Sequence, residues 1–395
     1  MIELASKDTC TACGACAYRC PHHCISMQEN TIGEIYPIID NDKCMQCHVC
    51  EKTCPVLSSP NLSLPQKAYA AWSLDNSTRQ TSASGGIASE LYQIALSKGY
   101  KVIGASINPD KSVSLNIAHT KEDAIPFKNS KYVFSSCYDV FPKIKEELFK
   151  GSKILIIGMP CQIAAMRKLY GEKNDIIYVE ILCHGMSPTS YLQQHIALIE
   201  QQKKQKAFSL SFRAPEAYTD SFTFTLYDET GHCFYAAKTS DGDTYQYGYH
   251  RGVTYRESCY HCSFAQKERA GDIILCDFYG LGRKIPFTHD KREVSCIIVN
   301  TKKGRTVIDE LISSGMIYAE ERPLEEAIDG NPRLQCPSEK TKDRLLFEKR
   351  IMQYHGDFEQ AIAPLCVSYM KELNTPKWKL HLKGIINRIK AFQQS

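Results

Sequence analysis

The chain has 395 residues, 43% hydrophobic and 23% charged, with 48 Lys and Arg against 44 Asp and Glu and a formal charge of +4. This is the composition of a soluble globular protein. It excludes a fibrous, low-complexity or intrinsically disordered chain, and so slight a positive excess gives no case for a nucleic-acid partner. The longest apolar runs, among them Ile154 to Ile157 and Cys296 to Val299, are far shorter than the roughly 20 residues of a membrane-spanning helix.

At about 150 residues per domain the length suits two or three domains. Cysteine departs from average usage: there are 19, too sparse for a small disulfide scaffold and odd in number. The opening MIELASKDTC has no basic segment followed by an apolar one. The sequence therefore predicts a cytoplasmic protein whose reduced thiols are available to hold metal.

Nine of the 19 cysteines lie before residue 55. Cys10, Cys13, Cys16 and Cys20 recur as Cys44, Cys47, Cys50 and Cys54, each displaced by 34 residues, and Pro21 and Pro55 obey the same shift. A repeat of this kind predicts one supersecondary unit used twice, here two short strand-and-turn halves. The spacing C-x2-C-x2-C-x3-C followed by Pro suits a cubane 4Fe-4S cluster, because three close cysteines wrap one face of the cube while the fourth ligates the other cluster. Cys10, Cys13, Cys16 and Cys54 are thus predicted to hold one cluster, and Cys44, Cys47, Cys50 and Cys20 the other. Gly14 would let backbone N–H groups approach the sulfides, and the small residues Thr11, Ala12 and Ala15 leave room for the cube. A zinc site is the competing reading, but it leaves the middle cysteine of each triplet and both prolines without a purpose. Cys24 lies outside the pattern and reads as a small buried hydrophobe. Over residues 1–57 the sequence resembles the bacterial two-cluster ferredoxins, and the first domain is expected over residues 1–60. Such clusters pass electrons singly and make no bonds, so the pathway needs another terminus.

The segment VLSSPNLSLPQ after Pro55 is rich in Ser and Pro and predicts a linker. From Lys67 strand-like runs alternate with helical ones: AYAAWSL at 68–74, a helix after Gly86 through Leu96, KVIGASI at 101–107, KILIIG at 153–158, a helix from Gln162 to Leu169, and IIYVEIL at 176–182. FSLSFRA (208–214) and FTFTLYD (222–228) look antiparallel, and DIILC (272–276) and SCIIVN (295–300) add two more strands. The expected fold class is α+β: a small ferredoxin-like domain followed by a larger mixed α/β domain.

Within that larger domain, TSASGG at 81–86 opens into a helix. Ser84, Gly85 and Gly86 form either an anion site for a dinucleotide pyrophosphate at the helix N-terminus or a Ser cap with glycines for a tight turn. In KNSKY (128–132), Lys131 either meets a phosphate or flavin edge or is a solvated surface lysine. GMPCQ (158–162) and ILCHGMSP (181–188) each follow an apolar strand, so Cys161 and Cys183 are predicted to converge at the carboxyl edge of the sheet, where ligands bind. RESCYHCSF then supplies Cys259 and Cys262, followed by RAGDIILCDFYG.

Over residues 67–310 these blocks together resemble the family formed by the beta subunits of coenzyme F420 hydrogenases and dehydrogenases, in which a preceding ferredoxin module is a common companion. In sequence terms this region divides into an N-terminal part (67–150) and a C-terminal part (151–310). The resemblance implies an FAD-dependent oxidoreductase with a third 4Fe-4S cluster, for which Cys161, Cys183, Cys259 and Cys262 are the expected ligands, the alternative being buried core thiols. Cys276 departs from the pattern, standing in CDFYG where a glycine is expected. Arg213 and Arg256 are candidates to balance a reduced flavin, or else salt-bridge arginines. Asp277 is a polar ligand or a structural anchor, and His184, His250 and His261 are proton donors or structural groups. Cys137, Cys233, Cys296, Cys336 and Cys366 match no motif and are expected to be structural.

The implied activity moves electrons between a low-potential carrier, such as reduced ferredoxin, and an unidentified organic substrate through 4Fe-4S clusters and FAD. The alternative is an electron-transfer subunit of a larger hydrogenase, dehydrogenase or polysaccharide-biosynthesis complex, without its own substrate. Beyond a helical extension (311–375), residues 376–395 place Trp378, Leu382, Ile385, Ile389 and Phe392 at helical spacing among Lys and Arg. This basic amphipathic helix suits either an anionic membrane surface, which would put the protein at the inner face of the membrane, or a protein partner.

Overall fold

The computed structural model describes residues 2–375 apart from Asn174 and Tyr218. The amphipathic helix expected over 376–395 lies outside the described residues. Among the described residues no helix is long and apolar enough to cross a membrane.

The N-terminal unit contains an antiparallel pair, β1 (Ile25–Glu29) and β2 (Ile35–Ile39), in the register Ile25↔Ile39 to Glu29↔Ile35. Asn30 Oδ1 closes the turn by accepting from the Ile32 and Glu34 amides, as Asn does where it mimics a backbone turn. Each cysteine triplet runs into a five-residue helix, Ala15–Arg19 and Val49–Thr53, and the two helices pack together. The repeated halves are therefore a strand and a short helix each, rather than a strand and a turn. The Ser- and Pro-rich stretch that follows is no free tether: Ser63 and Arg269 exchange backbone hydrogen bonds of 2.8 and 2.9 Å, and Val56 and Leu62 pack on the larger domain.

In chain order the larger domain adds β3 (Lys67–Ser73), β4 (Lys101–Ile107), β5 (Val113–Ala118), β6 (Ser135–Ser136), β7 (Ile154–Gly158) and β8 (Ile176–Ile181). There follow β9 (Ser209–Ser211), β10 (Phe224–Tyr227), β11 (Cys233–Ala237), β12 (Ile273–Asp277), β13 (Ser295–Val299) and β14 (Ile317–Arg322). Nine of these form one sheet, in the order β14-β3-β13-β12-β8-β7-β4-β5-β6. Strands from 67–150 and 151–310 interleave in it, and β14 extends it past residue 310, so the expected helical extension carries an edge strand. Strand β7 is apolar at every position and its neighbours are largely so, because both faces of the sheet are covered. Leu155 and Ile157 point toward the helices Ile87–Ser97 and Lys302–Ser313, while Ile154 and Ile156 point toward Phe141–Phe149 and Pro160–Tyr170. Each such buried side chain contributes about 1.5–3 kcal/mol of transfer free energy.

Strands β12, β8, β7 and β4 are mutually parallel, and β3 is parallel to them through the antiparallel β13. The turns after β3, β7, β8 and β12, and the chain entering β6, therefore leave one edge of the sheet. A separate sheet, in the order β11-β10-β9, packs with the helices Thr189–Lys203, Thr244–His250, Lys342–Gln353 and Phe358–Leu373 around Phe212, Phe224, Phe347 and Phe358. The strand expected over 208–214 pairs only over Ser209–Ser211, because the backbone then bends, with the Arg213 amide donating to Ser211 Oγ. The helix expected from Gln162 starts at Pro160, a residue preset for the first helical position. Cys161 consequently sits in the first turn of the helix.

Candidate metal centres and cofactor site

The structure brings Cys10, Cys13, Cys16 and Cys54 to one cavity, walled also by Thr11, Gly14 and Met27. Cys20, Cys44, Cys47 and Cys50 line a second, with His22 and Met45. The helix Ala15–Arg19 puts Cys16 in the first and Cys20 at the second, and Cys50 and Cys54 divide in the same way, so each short helix serves both cavities. Cys24 is buried as expected, but it also lines the second cavity, with its Sγ 3.3 Å from that of Cys20.

The donor chemistry fits iron-sulfur clusters. Burial first, then the charges of Cys10 and Cys54, push the Cys13 thiol up to about 12, and the Ala15 amide pulls in the opposite direction. Four thiolates so placed repel one another unless a cationic core holds them, and backbone N–H groups are the donors such a core uses. Among the described residues no three or more His, Cys, Asp or Glu converge as a single ion requires. The thiols surround a space instead, which disfavours zinc with its bonds of about 2.3 Å to sulfur. Gly14, with φ +76°, caps the helix in the left-handed region, and a Cβ there would lie 2.8 Å from the Tyr138 ring. Its absent side chain seats the loop on the larger domain.

A third cavity collects the dispersed cysteines. Cys161 follows β7, Cys183 follows β8, Cys259 lies in the short helix Glu257–Tyr260 and Cys262 just beyond it; all four line one space with Thr11, Met159 and Phe264. Burial, then the charge of Cys262, pushes Cys259 up to about 12; burial, then Cys259 and Cys262, also raises Cys183. Gly185 has φ +148°, and a Cβ there would collide with the Tyr255 ring, which explains the glycine of the Cys-His-Gly block. Arg256, Arg269 and Arg333 complete the wall. Arg269 Nε lies 2.9 Å from Glu180 Oε2, both side chains about 1% exposed, while Arg269 Nη2, Arg256 Nε and Arg333 Nη1 are buried without hydrogen-bond partners. Cations facing four thiolates suit a cluster whose ligated form is negative. Neither Arg269 nor Arg333 stands out in the sequence; the R-x-G-D block carries the only signal for Arg269. Arg256, a candidate to balance a reduced flavin, lies at the wall of the third cavity. Its Nη2 donates to Ile35 O at 2.9 Å, and its guanidinium lies over Tyr36 and Phe134 at the seam between the domains.

That seam is closely tied. Tyr191 Oη donates to Ile32 O at 2.9 Å, the Glu257 amide donates to Glu34 Oε1 at 2.9 Å, and Cys137 Sγ lies 3.2 Å from Cys13 O. Thr11 borders both the first and the third cavity.

The remaining candidates lie along the same sheet edge. Register sets Asp277 opposite Ser295 and Ser295 opposite Ala71. The Gly85 amide donates to Ser295 Oγ at 2.9 Å, and a Cβ on Gly85 would lie 2.5 Å from Ala71 O. Gly86 caps the helix Ile87–Ser97 at φ +85°, and Ser84 beside it is half-buried. Close packing and a left-handed turn thus account for both glycines, and the amide of Gly85 is already occupied. Lys131 is no solvated lysine: its Nζ donates to Pro126 O at 2.9 Å and Lys128 O at 2.8 Å, and burial lowers its pKa to about 7. The residue joining the two loops is Lys128, whose Nζ meets Thr81 Oγ1; nothing in the KNSKY motif distinguishes it from Lys131.

Arg213 is buried, with Nη2 3.3 Å from Asp277 Oδ2, Nε donating to Thr219 O at 2.8 Å and its guanidinium over Phe222. The salt-bridge reading therefore describes Arg213 as it stands, and Asp277 is its anchor. Tyr132 stacks on Tyr249 at 4.6 Å with His250 edge-on at 5.3 Å. Burial, then the charges of Arg213 and His184, lower His250 to about 4, and its Nε2 is buried without a partner. His184 borders the third cavity, where enclosure and then the Arg333 charge lower its pKa. His261 faces solvent 3.2 Å from Glu257 and stands apart from this group.

Comparison with known proteins gives these sites a context. Residues 151–325 match the C terminus of the coenzyme F420 hydrogenase/dehydrogenase beta subunit, and residues 9–57 match the 4Fe-4S dicluster domain. A subunit of the F(420)H(2) dehydrogenase of Methanosarcina mazei is 25% identical over 197 residues, 46% of this chain and 55% of that protein. The coenzyme F420-dependent sulfite reductase of Methanocaldococcus jannaschii is 28% identical over 184 residues, 44% of this chain and 28% of that protein. The chain thus spans about half the length, or less, of these curated relatives. A chain of the F420-reducing NiFe hydrogenase complex from Methanosarcina barkeri aligns with a TM-score of 0.46 and 19% identity, over 74% of this chain and 94% of that one. The chain therefore joins a 4Fe-4S dicluster domain at residues 9–57 to a region, residues 151–325, that is similar to the C terminus of coenzyme F420 hydrogenase/dehydrogenase beta subunits.

Proposed function

We propose that this chain is an iron-sulfur flavoprotein that passes electrons between a one-electron protein carrier and a two-electron organic substrate. The observation that carries the proposal is the sharing of Thr11 between the Cys10/Cys13/Cys16/Cys54 cavity and the Cys161/Cys183/Cys259/Cys262 cavity. Because the two short helices already join the first cavity to the second, three thiol-lined spaces stand in series. In this reading the first two quartets hold one 4Fe-4S cluster each and the third holds another. Bound clusters supply single-electron transfer, and a bound FAD supplies the exchange between single electrons and pairs.

The chain's own part is placement and electrostatics. Arg256 and Arg269 offset negative charge around the third quartet without opening it to water. Lys128 and the loop 81–86 provide a cationic, small-residue edge for a dinucleotide, with Arg213 and Asp277 fixed beside it and His184 and His250 as neutral imidazoles near neutral pH. His184, at the rim, would offer its neutral ring to a substrate as a proton acceptor. Reduced ferredoxin is the proposed carrier, meeting the protein at the Cys47 side, where that thiol is exposed.

A second reading, an electron-transfer subunit that needs partners, draws support from the naming of one relative as a subunit and from exposed Phe149 and Phe208. Anaerobic purification with iron, sulfide and flavin counted per chain tests the first reading, with about twelve irons and one flavin expected for three cubanes and FAD. About eight irons and no flavin would refute it. Flavin reduction by reduced ferredoxin with no turnover of any acceptor until partner subunits are added would favour the second.

A further inference from the structure

Strands β12 and β13 set Cys276 directly opposite Cys296, so both side chains leave the same face of the sheet, and burial, then the neighbouring Cys276 thiol, raise the Cys296 pKa. Opposed residues on antiparallel strands have Cα atoms about 4.5–5.5 Å apart, inside the roughly 4.4–6.8 Å that a disulfide accepts. Neither thiol lines any of the three cysteine cavities; both lie against Trp72, Phe278 and Ile298 on one face of the sheet. The two differ in access, Cys296 being fully buried and Cys276 half-buried. Asp277, which holds Arg213, directly follows one, and Ser295, which accepts from Gly85, directly precedes the other.

We propose that Cys276 and Cys296 form a reversible dithiol–disulfide modification site that staples the two ends of segment 277–295 at the sheet edge. Cys276, the accessible group, attacks a low-molecular-weight disulfide of the glutathione class as its thiolate, forming a mixed disulfide and releasing one small thiol. Cys296 then attacks the Cys276 sulfur and displaces the second small thiol. One S–S bond breaks and one forms; the small disulfide is reduced to two thiols, which carry away the two cysteine protons. The pair itself rests on strand register, and only its consequence for the cofactor site rests on the function proposed above.

The test uses the full chain, purified anaerobically with its clusters and equilibrated in glutathione buffers of stepped oxidised-to-reduced ratio. Alkylation, digestion without reductant and mass spectrometry then read the products. A linked Cys276–Cys296 peptide is expected, lost again in excess reduced glutathione, and Cys296→Ser should stop at glutathionylated Cys276. Amide exchange across 277–295 should slow severalfold in the linked form. Absence of the linked peptide at every ratio, while exposed Cys336 takes up glutathione, would overturn the proposal, and unchanged exchange in the linked form would overturn the staple. A linked peptide in a chain that binds no flavin would refute the flavin reading and leave this one standing.

Discussion

The first 60 residues and the nine-stranded sheet solve the same problem, four thiols around one space, by opposite means. In the N-terminal unit, six of the eight repeated cysteines lie in two tight triplets, and two short helices exchange the remaining pair between cavities. At the sheet edge Cys161 and Cys183 meet because the parallel strands β7 and β8 end together, and a short helix from elsewhere in the chain brings Cys259 and Cys262 to them. Local ligand sets can assemble with little help from the rest of the fold. Dispersed ones are only as secure as the packing beneath them, which should make the third site the first lost when the larger domain is weakened.

The comparison breaks or holds on metal content. Cys13→Ala or Cys50→Ala should cost about four of about twelve irons, and so should Cys183→Ala. Only Cys183→Ala should leave the spectrum of an interacting N-terminal pair intact, read by electron paramagnetic resonance after reduction. An equal iron count in Cys183→Ala and the parent would remove the third centre and with it the comparison.

Support beneath the third site can be weakened without touching a thiol. Glu180→Gln leaves Arg269 charged and buried without its counter-ion, a change that costs about 3–5 kcal/mol in comparable pairs. A lower urea midpoint is expected, with iron from the third quartet released before the other eight; simultaneous release of all iron would contradict the sequence proposed.

Acid–base behaviour separates the two regions again. His195 lies between Asp243 and Glu359, at 3.1 and 2.7 Å; burial alone would lower its pKa, but the two carboxylates overcome this and raise it to about 9. Because the folded value lies above the ordinary one, the stabilisation is complete below about pH 6.5 and is lost as pH rises through about 9. It amounts to on the order of 3 kcal/mol. The melting temperature of the larger domain should fall across that window and flatten in His195→Gln, while iron held by the N-terminal quartets stays constant.

The smallest effect tests the cofactor edge. Lys128→Ala removes the one ammonium bridging the two loops and should weaken flavin retention by about tenfold, the size of one charge-assisted hydrogen bond. Lys131→Ala should instead loosen the 126–131 loop through the carbonyls its Nζ holds, with a smaller change in flavin content and a larger one in thermal stability.

How far the molecule was legible follows from the same contrast. The spacing of Cys10 to Cys20 and its copy 34 residues later already contain the N-terminal arrangement, because steric reach over two or three residues fixes which thiols can share a cluster face. Strand β7 was legible from an unbroken apolar run, and β8 from one interrupted only by Glu180, since burial on both faces tolerates little else. Lys128, Arg269 and Arg333 were not legible in their roles, because a charged residue in a loop looks alike whether it faces water or a cavity. Nor could composition show that Arg256 sits at the seam between domains, or that Cys276 meets Cys296, since register depends on strands that lie far apart in the chain. The sequence by itself determined the kinds of chemistry present: thiols in metal-binding patterns, small-residue turns and apolar strands. Tertiary structure alone decided which thiols are neighbours, which cations are buried and which ends of the sheet coincide, because those depend on strand order and direction, and hydrophobic burial drives assembly without encoding either.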